Sequence, residues 1–233
     1  MPELVLNVFR FDPEEDREGY FRRYVIPFKD GMTVLDALFH VLERVDGSIA
    51  FRYSCREAIC GACAMFINGS YRLACQTQIK HLGGNEVDVS PLPHLKVIKD
   101  LVVDMTPFWE KYEYIKPYLM ASSAPPEKER RQSPRERRAI DEMVGCILCG
   151  CCYSSCPSVW TGQEYLGPTA LMKAYRFAAD SRDGAREERL ALVANEKGLW
   201  RCHTIFNCAE ACPKKINPTY SIQRLKRLAV LGR

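Results

Sequence analysis

The chain has 233 residues, 47% of them apolar, which is enough to bury two small cores. Its formal charge of +4 is modest, and the basic excess gathers at residues 130–138 and 224–233, short runs that fit solvated or docking faces and argue against a nucleic-acid groove. Twelve cysteines are too few for a disulfide-stapled mini-protein and too many to be incidental. The opening Met1-Pro2-Glu3-Leu4 lacks the basic and apolar blocks of a signal peptide, and no apolar run nears the roughly 20 residues of a membrane span. A reducing compartment with metal-bound thiolates is the expectation.

Residues 4–11 and 20–26 read as extended segments joined by an acidic turn, a hairpin. Thr33, with Asp36 three residues on, opens a helix in the manner of a capping box. Val34, Leu35, Leu38, Val41, Leu42 and Val45 form its apolar stripe, and Gly47 is its expected stop. Cys55, Cys60 and Cys63 follow, with Cys75 twelve positions later. Between them, residues 64–67 and 71–74 flank Asn68-Gly69, a hairpin turn that carries Cys75 back to the cysteine loop. Residues 86–90 add a strand, and the first 95 or so residues describe a compact α+β unit. The spacing C-x4-C-x2-C…C is that of plant-type [2Fe–2S] ferredoxins. Ala58 stands in this loop where many such domains carry glycine, and its Cβ opposes both a positive φ and close backbone approach to sulfide.

Residues 95–118 have helical periodicity interrupted by Pro107 and Pro117 and are expected to form one or two helices. Residues 121–132 read as a connector. Ser133-Pro134-Arg135-Glu136 restarts order, with Ser as N-cap, Pro at the first helical position and Glu at the third, in a helix that runs into Cys146. Further helices are expected over 169–179 and 186–195, and a basic amphipathic one over 217–231. The domain plan is therefore an α+β domain over 1–105 and an all-α domain over 106–233.

Cys146, Cys149, Cys152 and Cys156-Pro157 form C-x2-C-x2-C-x3-C-P, the run of bacterial ferredoxins, whose last cysteine ligates a different cluster. The second run is Cys202, Cys208 and Cys212-Pro213, with Ile205 where the template has cysteine. Exchange of last cysteines gives Cys146, Cys149, Cys152 and Cys212 for a [4Fe–4S] cluster. It leaves Cys156, Cys202 and Cys208 for the other site, and three ligands predict [3Fe–4S]. Cys151 is left over and is expected to be a buried structural thiol. Zinc held by four thiolates competes for a lone Cys-x2-Cys. Here two ferredoxin spacings coexist, and a group of seven cysteines does not divide into tetrahedral sites. No Gly-rich dinucleotide fingerprint or nucleophile motif accompanies the cysteines, so no catalytic residue is assigned. His40, His81 and His94 are read as structural or surface residues. The chain reads as a wire in which each cluster carries one electron.

The set Ser54-Cys55-Arg56-Glu57, Cys60-Gly61, Cys63 and Cys75, then Cys146-Ile147-Leu148-Cys149, Cys152 and Cys156-Pro157-Ser158, continues through Tyr165-Leu166-Gly167-Pro168 and Ala174-Tyr175-Arg176. It closes with Arg201-Cys202-His203, Cys208, Cys212-Pro213-Lys214 and Asn217-Pro218. Together these resemble the iron–sulfur subunit of the succinate dehydrogenase (respiratory complex II) and fumarate reductase family. The resemblance implies an N-terminal β-grasp ferredoxin domain and a C-terminal helical, bacterial-ferredoxin-like domain. It implies a tricarboxylic acid cycle relay from the FAD of a flavoprotein partner through [2Fe–2S], [4Fe–4S] and [3Fe–4S] clusters, in that order, to a membrane quinone. Membrane-anchor subunits, with or without haem, would hold the chain peripherally on the cytoplasmic face of a bacterial inner membrane or the matrix face of the mitochondrial one. It further implies a quinone pocket at Pro157, Trp160, His203, Ile205 and Lys226. The family often has two adjacent tryptophans where this chain has Trp160-Thr161, so Trp160 aligns with the first when counted from Cys156 and with the second when counted back from Gly167. Two other readings stay open: the same relay run in reverse by a quinol:fumarate reductase, and a free-standing multi-cluster ferredoxin carrier.

Overall fold

A computed structural model describes residues 2–232; Met1 and Arg233, the last residue of the basic tail, lie outside the described residues. The chain divides into two compact units. One comprises the chain up to Met105 together with Ile147–Ser154, and the other comprises Thr106–Cys146 together with the chain from Ser155 onward.

In the first unit β1 (Glu3–Arg10) and β2 (Tyr20–Pro27) form the expected antiparallel hairpin, in register from Glu3↔Pro27 to Arg10↔Tyr20. Helix α1 (Val34–Arg44) follows, then β3 (Ala64–Ile67), β4 (Ser70–Leu73) and β5 (Glu86–Ser90). The five strands lie in the order β2-β1-β5-β3-β4, with β1 and β5 parallel and the other pairs antiparallel. Leu4, Leu6 and Val8 alternate into the core from β1, and α1 buries Val34, Leu35, Ala37, Leu38 and Val41. The capping box is present: Thr33 Oγ1 accepts from Asp36 N at 3.1 Å, and the Asp36 carboxylate accepts from Thr33 N at 2.9 Å. The helix stops before Gly47, however. The N–H groups of both Val45 and Asp46 turn back to the Val41 carbonyl, so Val45 caps the helix as an exposed residue and not as part of its stripe. Asn68 (φ 45°) and Gly69 (φ 72°) both take the left-handed conformation that a tight two-residue hairpin requires.

The helix expected from residue 95 onward gives way to a two-stranded ribbon, β6 (Val97–Lys99) and β7 (Val102–Val103), with Asp100 at φ 47° in its turn. Tertiary hydrogen bonds override the local periodicity here. The buried Asp100 carboxylate accepts from Arg10 Nε (2.9 Å), Phe11 N (3.0 Å) and Ala50 N (2.8 Å). Arg10 in turn holds Asp46 (2.6 Å) and Ser48 (2.8 Å).

Helix α2 (Thr106–Tyr114) takes Pro107 into its first turn, where proline is tolerated, so this proline starts a helix and does not interrupt one. The Ser133–Glu136 capping box forms as expected, but α3 (Pro134–Arg138) is short. The backbone breaks at the fully buried Ile140 (φ −120°) before α4 (Asp141–Val144), so no single helix delivers the chain to Cys146. After α5 (Cys151–Ser154), which belongs to the first unit, come α6 (Pro157–Trp160), α7 (Gly167–Ala178), α8 (Arg186–Val193), α9 (Asn207–Glu210) and α10 (Pro218–Leu231). Helix α7 is buried on nearly every face and packs against α2, α4, α8 and α10. Arg189, fully buried on α8, gathers the chain that follows α2 by donating to the carbonyls of Ile115 (3.1 Å), Lys116 (2.6 Å) and Tyr118 (2.6 Å) and to Asp183 (2.7 Å). Among the described residues no helix is long and apolar enough to cross a membrane.

Candidate iron–sulfur centres

The first cysteine loop is shaped by three left-handed residues, Arg56 (φ 60°), Ala58 (φ 57°) and Gly61 (φ 73°). Ala58 adopts the conformation that its Cβ opposes. The return is a cradle of backbone donors: the N–H groups of Glu57 (3.4 Å), Ile59 (3.4 Å) and Cys60 (3.3 Å) point at Cys55 Sγ. Ala58 N donates to Cys75 Sγ at 3.3 Å and Cys55 N to Cys60 Sγ at 3.5 Å. The N–H groups of Glu57, Ile59 and Cys60 favour the Cys55 thiolate and bring its pKa down to about 7, whereas burial pushes that of Cys63 up to about 12. The thiol of Cys55 bonds with that of Cys60 and the thiol of Cys63 with that of Cys75, and Cys60 also acts on Cys63 across the two pairs. That arrangement suits two irons with two thiolates each.

In the segment 147–154, Leu148 (φ 55°) and Gly150 (φ 81°) are left-handed. Cys151 is fully buried as expected, but it is more than filler. Its thiol and its N–H both bond the Cys149 sulfur and hold the Cys149 pKa down against the effect of burial. Gly61 of the first loop packs directly on this segment, because a Cβ there would lie 2.9 Å from both Cys149 Cβ and the Ile147 carbonyl oxygen. In the second unit, the field of Cys146 acts on Tyr112 and Lys173, and Cys212 Sγ accepts from Ile216 N at 3.4 Å.

Cys156, Cys202 and Cys208 line one small cavity in the second unit. Ile205, half exposed, stands on the same wall between two left-handed residues, Thr204 (φ 57°) and Phe206 (φ 71°), and brings no ligating atom. Thr219 Oγ1 lies 3.2 Å from Cys208 Sγ. Burial raises the Cys208 pKa to about 11 and raises that of Cys156. The buried Tyr165 phenol is pushed up by desolvation and by the same three sulfurs. Pro157 and His203 also line this cavity. Lys226 reaches the loop by donating to the Cys202 carbonyl at 2.9 Å, while Trp160 stands outside the lining at the partly exposed end of α6. Tyr165 and Thr219 were invisible to cysteine spacing. Among the described residues no three His, Cys, Asp or Glu side chains meet around the position of a single metal ion; thiolates of a cluster surround it and do not converge on one point.

The donor set fits iron–sulfur clusters: paired thiols under backbone N–H groups in one loop, and three thiols around a space in another. Residues 5–110 match the model of a 2Fe-2S iron-sulfur cluster binding domain, and residues 142–216 match that of a 4Fe-4S dicluster domain. The fold and the cysteine sites thus define an iron–sulfur protein with a [2Fe–2S] ferredoxin domain followed by a helical dicluster domain. The mitochondrial succinate dehydrogenase (ubiquinone) iron-sulfur subunit of Candida glabrata is 44% identical over 232 residues, 97% of this chain and 92% of that protein. The succinate dehydrogenase iron-sulfur subunit of Paracoccus denitrificans is 42% identical over 226 residues, 96% and 87% of the two chains. A chain of the Mycobacterium smegmatis Sdh1 complex in the apo form matches with a TM-score of 0.83 at 27% identity, covering 97% of this chain and 95% of that one. The chain belongs to the family of succinate dehydrogenase iron–sulfur subunits.

Proposed function

We propose that the protein is the electron-relay subunit of a succinate:quinone oxidoreductase, with the dicarboxylate chemistry carried out on an FAD-containing flavoprotein partner. The observation that carries this reading is the cavity bordered by Cys156, Cys202 and Cys208 with Ile205 on its wall. Three thiolates and an aliphatic side chain leave one corner of a cubane without a ligand, which favours [3Fe–4S]. Cys55, Cys60, Cys63 and Cys75 hold [2Fe–2S], and Cys146, Cys149, Cys152 and Cys212 hold [4Fe–4S]. When bound, these groups supply one-electron storage in series between a flavin and a membrane quinone.

The residues of the chain do the rest. The five N–H donors around the first loop stabilise negative charge on sulfur. The bare Cα of Gly61 lets that loop rest on the segment carrying Cys149. Quinone is placed next to Pro157, Trp160, His203, Ile205 and Lys226. The cavity wall shared by Pro157, His203 and Ile205 supports this placement, as do the indole and ammonium donors that Trp160 and Lys226 could offer a carbonyl oxygen. Membrane-anchor subunits hold the chain peripherally at the cytoplasmic or matrix face, and the two domains are divided near residue 105.

Stepwise reduction of the purified complex followed by EPR tests the reading. Three cluster signals are expected, one of them an oxidised [3Fe–4S] signal that Ile205→Cys converts toward [4Fe–4S]. A fully iron-loaded wild type without that signal refutes the three-ligand assignment, and a subunit that purifies without flavoprotein refutes the complex. Succinate with quinone, compared with fumarate and quinol, sets the direction.

A further inference from the structure

Lys173 is buried in the middle of α7, 8% exposed, although lysine is among the residues least often found inside a protein. Its Nζ donates to the Met143 carbonyl at 3.0 Å. The same carbonyl accepts the N–H of Cys146 at 3.4 Å, so the ammonium and the first residue of the cysteine run share one acceptor. Burial lowers the Lys173 pKa, the Cys146 sulfur opposes this by attracting the ammonium, and the neighbouring Arg176 adds to the lowering. An ammonium has three donors, and among the described residues Lys173 has no carboxylate partner. The nearby Arg176, one turn along α7, lies 3.3 Å from Asp180, a carboxylate that Arg182 holds at 2.8 Å, and Tyr112, which also faces Cys146, is a neutral phenol. An unbranched apolar side chain would fill the same space without the cost of desolvating a charge. Folding alone therefore gives no reason for a lysine here.

We propose that Lys173 is a charge-tuning residue whose ammonium raises the reduction potential of the four-iron cluster that Cys146 helps to hold. The inference rests on the assignment of Cys146 as a ligand. Reduction adds one electron to a cluster that four thiolates already make negative, so a fixed neighbouring cation stabilises the reduced form more than the oxidised one. Lys173 is thus a positioning residue for charge and does not itself gain or lose an electron.

The test is an EPR-monitored redox titration of the assembled complex carrying Lys173→Gln, Lys173→Met or Lys173→Arg, with iron content measured on each. In either neutral variant the ratio of reduced to oxidised four-iron cluster at a fixed potential should fall about tenfold, a 59 mV shift for one electron. Lys173→Arg should stay within about twofold of wild type, and the other two clusters should not move. A fully loaded neutral variant with an unshifted midpoint overturns the proposal. An arginine variant shifted as far as the neutral ones overturns it too, since packing and not charge would then be responsible. Persistence of an unaltered four-iron signal in Cys146→Ser overturns the ligand assignment and the proposal with it, a result distinct from a failure at Lys173.

Discussion

Replacing Gly61 by alanine probes the contact between the first cysteine loop and the segment that carries Cys149. Gly61 sits at φ 73°, where an alanine costs about 1–2 kcal/mol, offset by about 0.4–1 kcal/mol of lost freedom in the unfolded chain. The new Cβ would also lie 2.9 Å from Cys149 Cβ, 2.9 Å from the Ile147 carbonyl oxygen and 3.0 Å from Cys149 Cα. None of these is the tip of a flexible side chain, so the overlap should cost a further 1–3 kcal/mol or so. The net expectation is a loss of about 1–5 kcal/mol. Gly69 provides the control, because it has nearly the same φ, 72°, with nothing within 4 Å of a built Cβ. Denaturation of the assembled complexes should therefore show Gly61→Ala to be less stable than Gly69→Ala by the overlap alone, about 1–3 kcal/mol. The strain can relax only by moving the loop off Cys149, so rapid-freeze EPR after addition of succinate should also show delayed reduction beyond the first cluster in Gly61→Ala. Equal losses in the two variants, with equal electron arrival, would refute the idea that this glycine exists to let the two segments touch.

The converse change, Ala58→Gly, removes a Cβ from a residue at φ 57°. It should stabilise the complex by about 0.5–1 kcal/mol while leaving the five N–H···S contacts in place, which a raised thermal midpoint with an unaltered [2Fe–2S] spectrum would verify. Acid acts through Asp46, whose pKa is held well below the usual carboxylate range: burial opposes the shift, and hydrogen bonds from Ser48, Tyr24 and Arg10 outweigh it. A carboxyl with a depressed folded-state pKa contributes stability above its unfolded value, about 3.9, and that stability is lost as pH falls below it. The stability gap between wild type and Asp46→Asn should accordingly be constant from pH 7 to 5 and narrow towards pH 3, a comparison in which acid loss of the clusters affects both proteins alike. A gap that widens on acidification would contradict the assignment.

Short-range chemistry was legible wherever a residue acts on its own neighbours. Both capping boxes and the Asn68-Gly69 turn formed as read, because each is decided within four residues. Cysteine spacing named Cys156, Cys202 and Cys208 together, and the fold brings them to one cavity although Cys156 is far from the other two along the chain. Misreadings arose where partners are distant. The ribbon over residues 97–103 depends on Asp100 meeting Arg10 from ninety positions away, and no local pattern contains that pairing. The break at Ile140 comes from burial of that side chain and not from any breaker residue. Gly47 looked like a stop, yet Val45 and Asp46 had already turned back to Val41. Lys173 and Arg189 were unremarkable letters in helical stretches; only their burial shows one beside Cys146 and the other holding the chain after α2.

The middle of the cysteine run, Ile147–Ser154, belongs to the unit otherwise built from the chain up to Met105. That membership has a consequence for synthesis. A ribosome making roughly 5–20 residues per second releases the five-stranded sheet seconds before the turn containing the buried Cys151 emerges to join the same unit. During that interval the Leu92 and Met105 side chains that later meet Gly150, and the Pro93 carbonyl that later accepts from Ser154 Oγ, lack those partners.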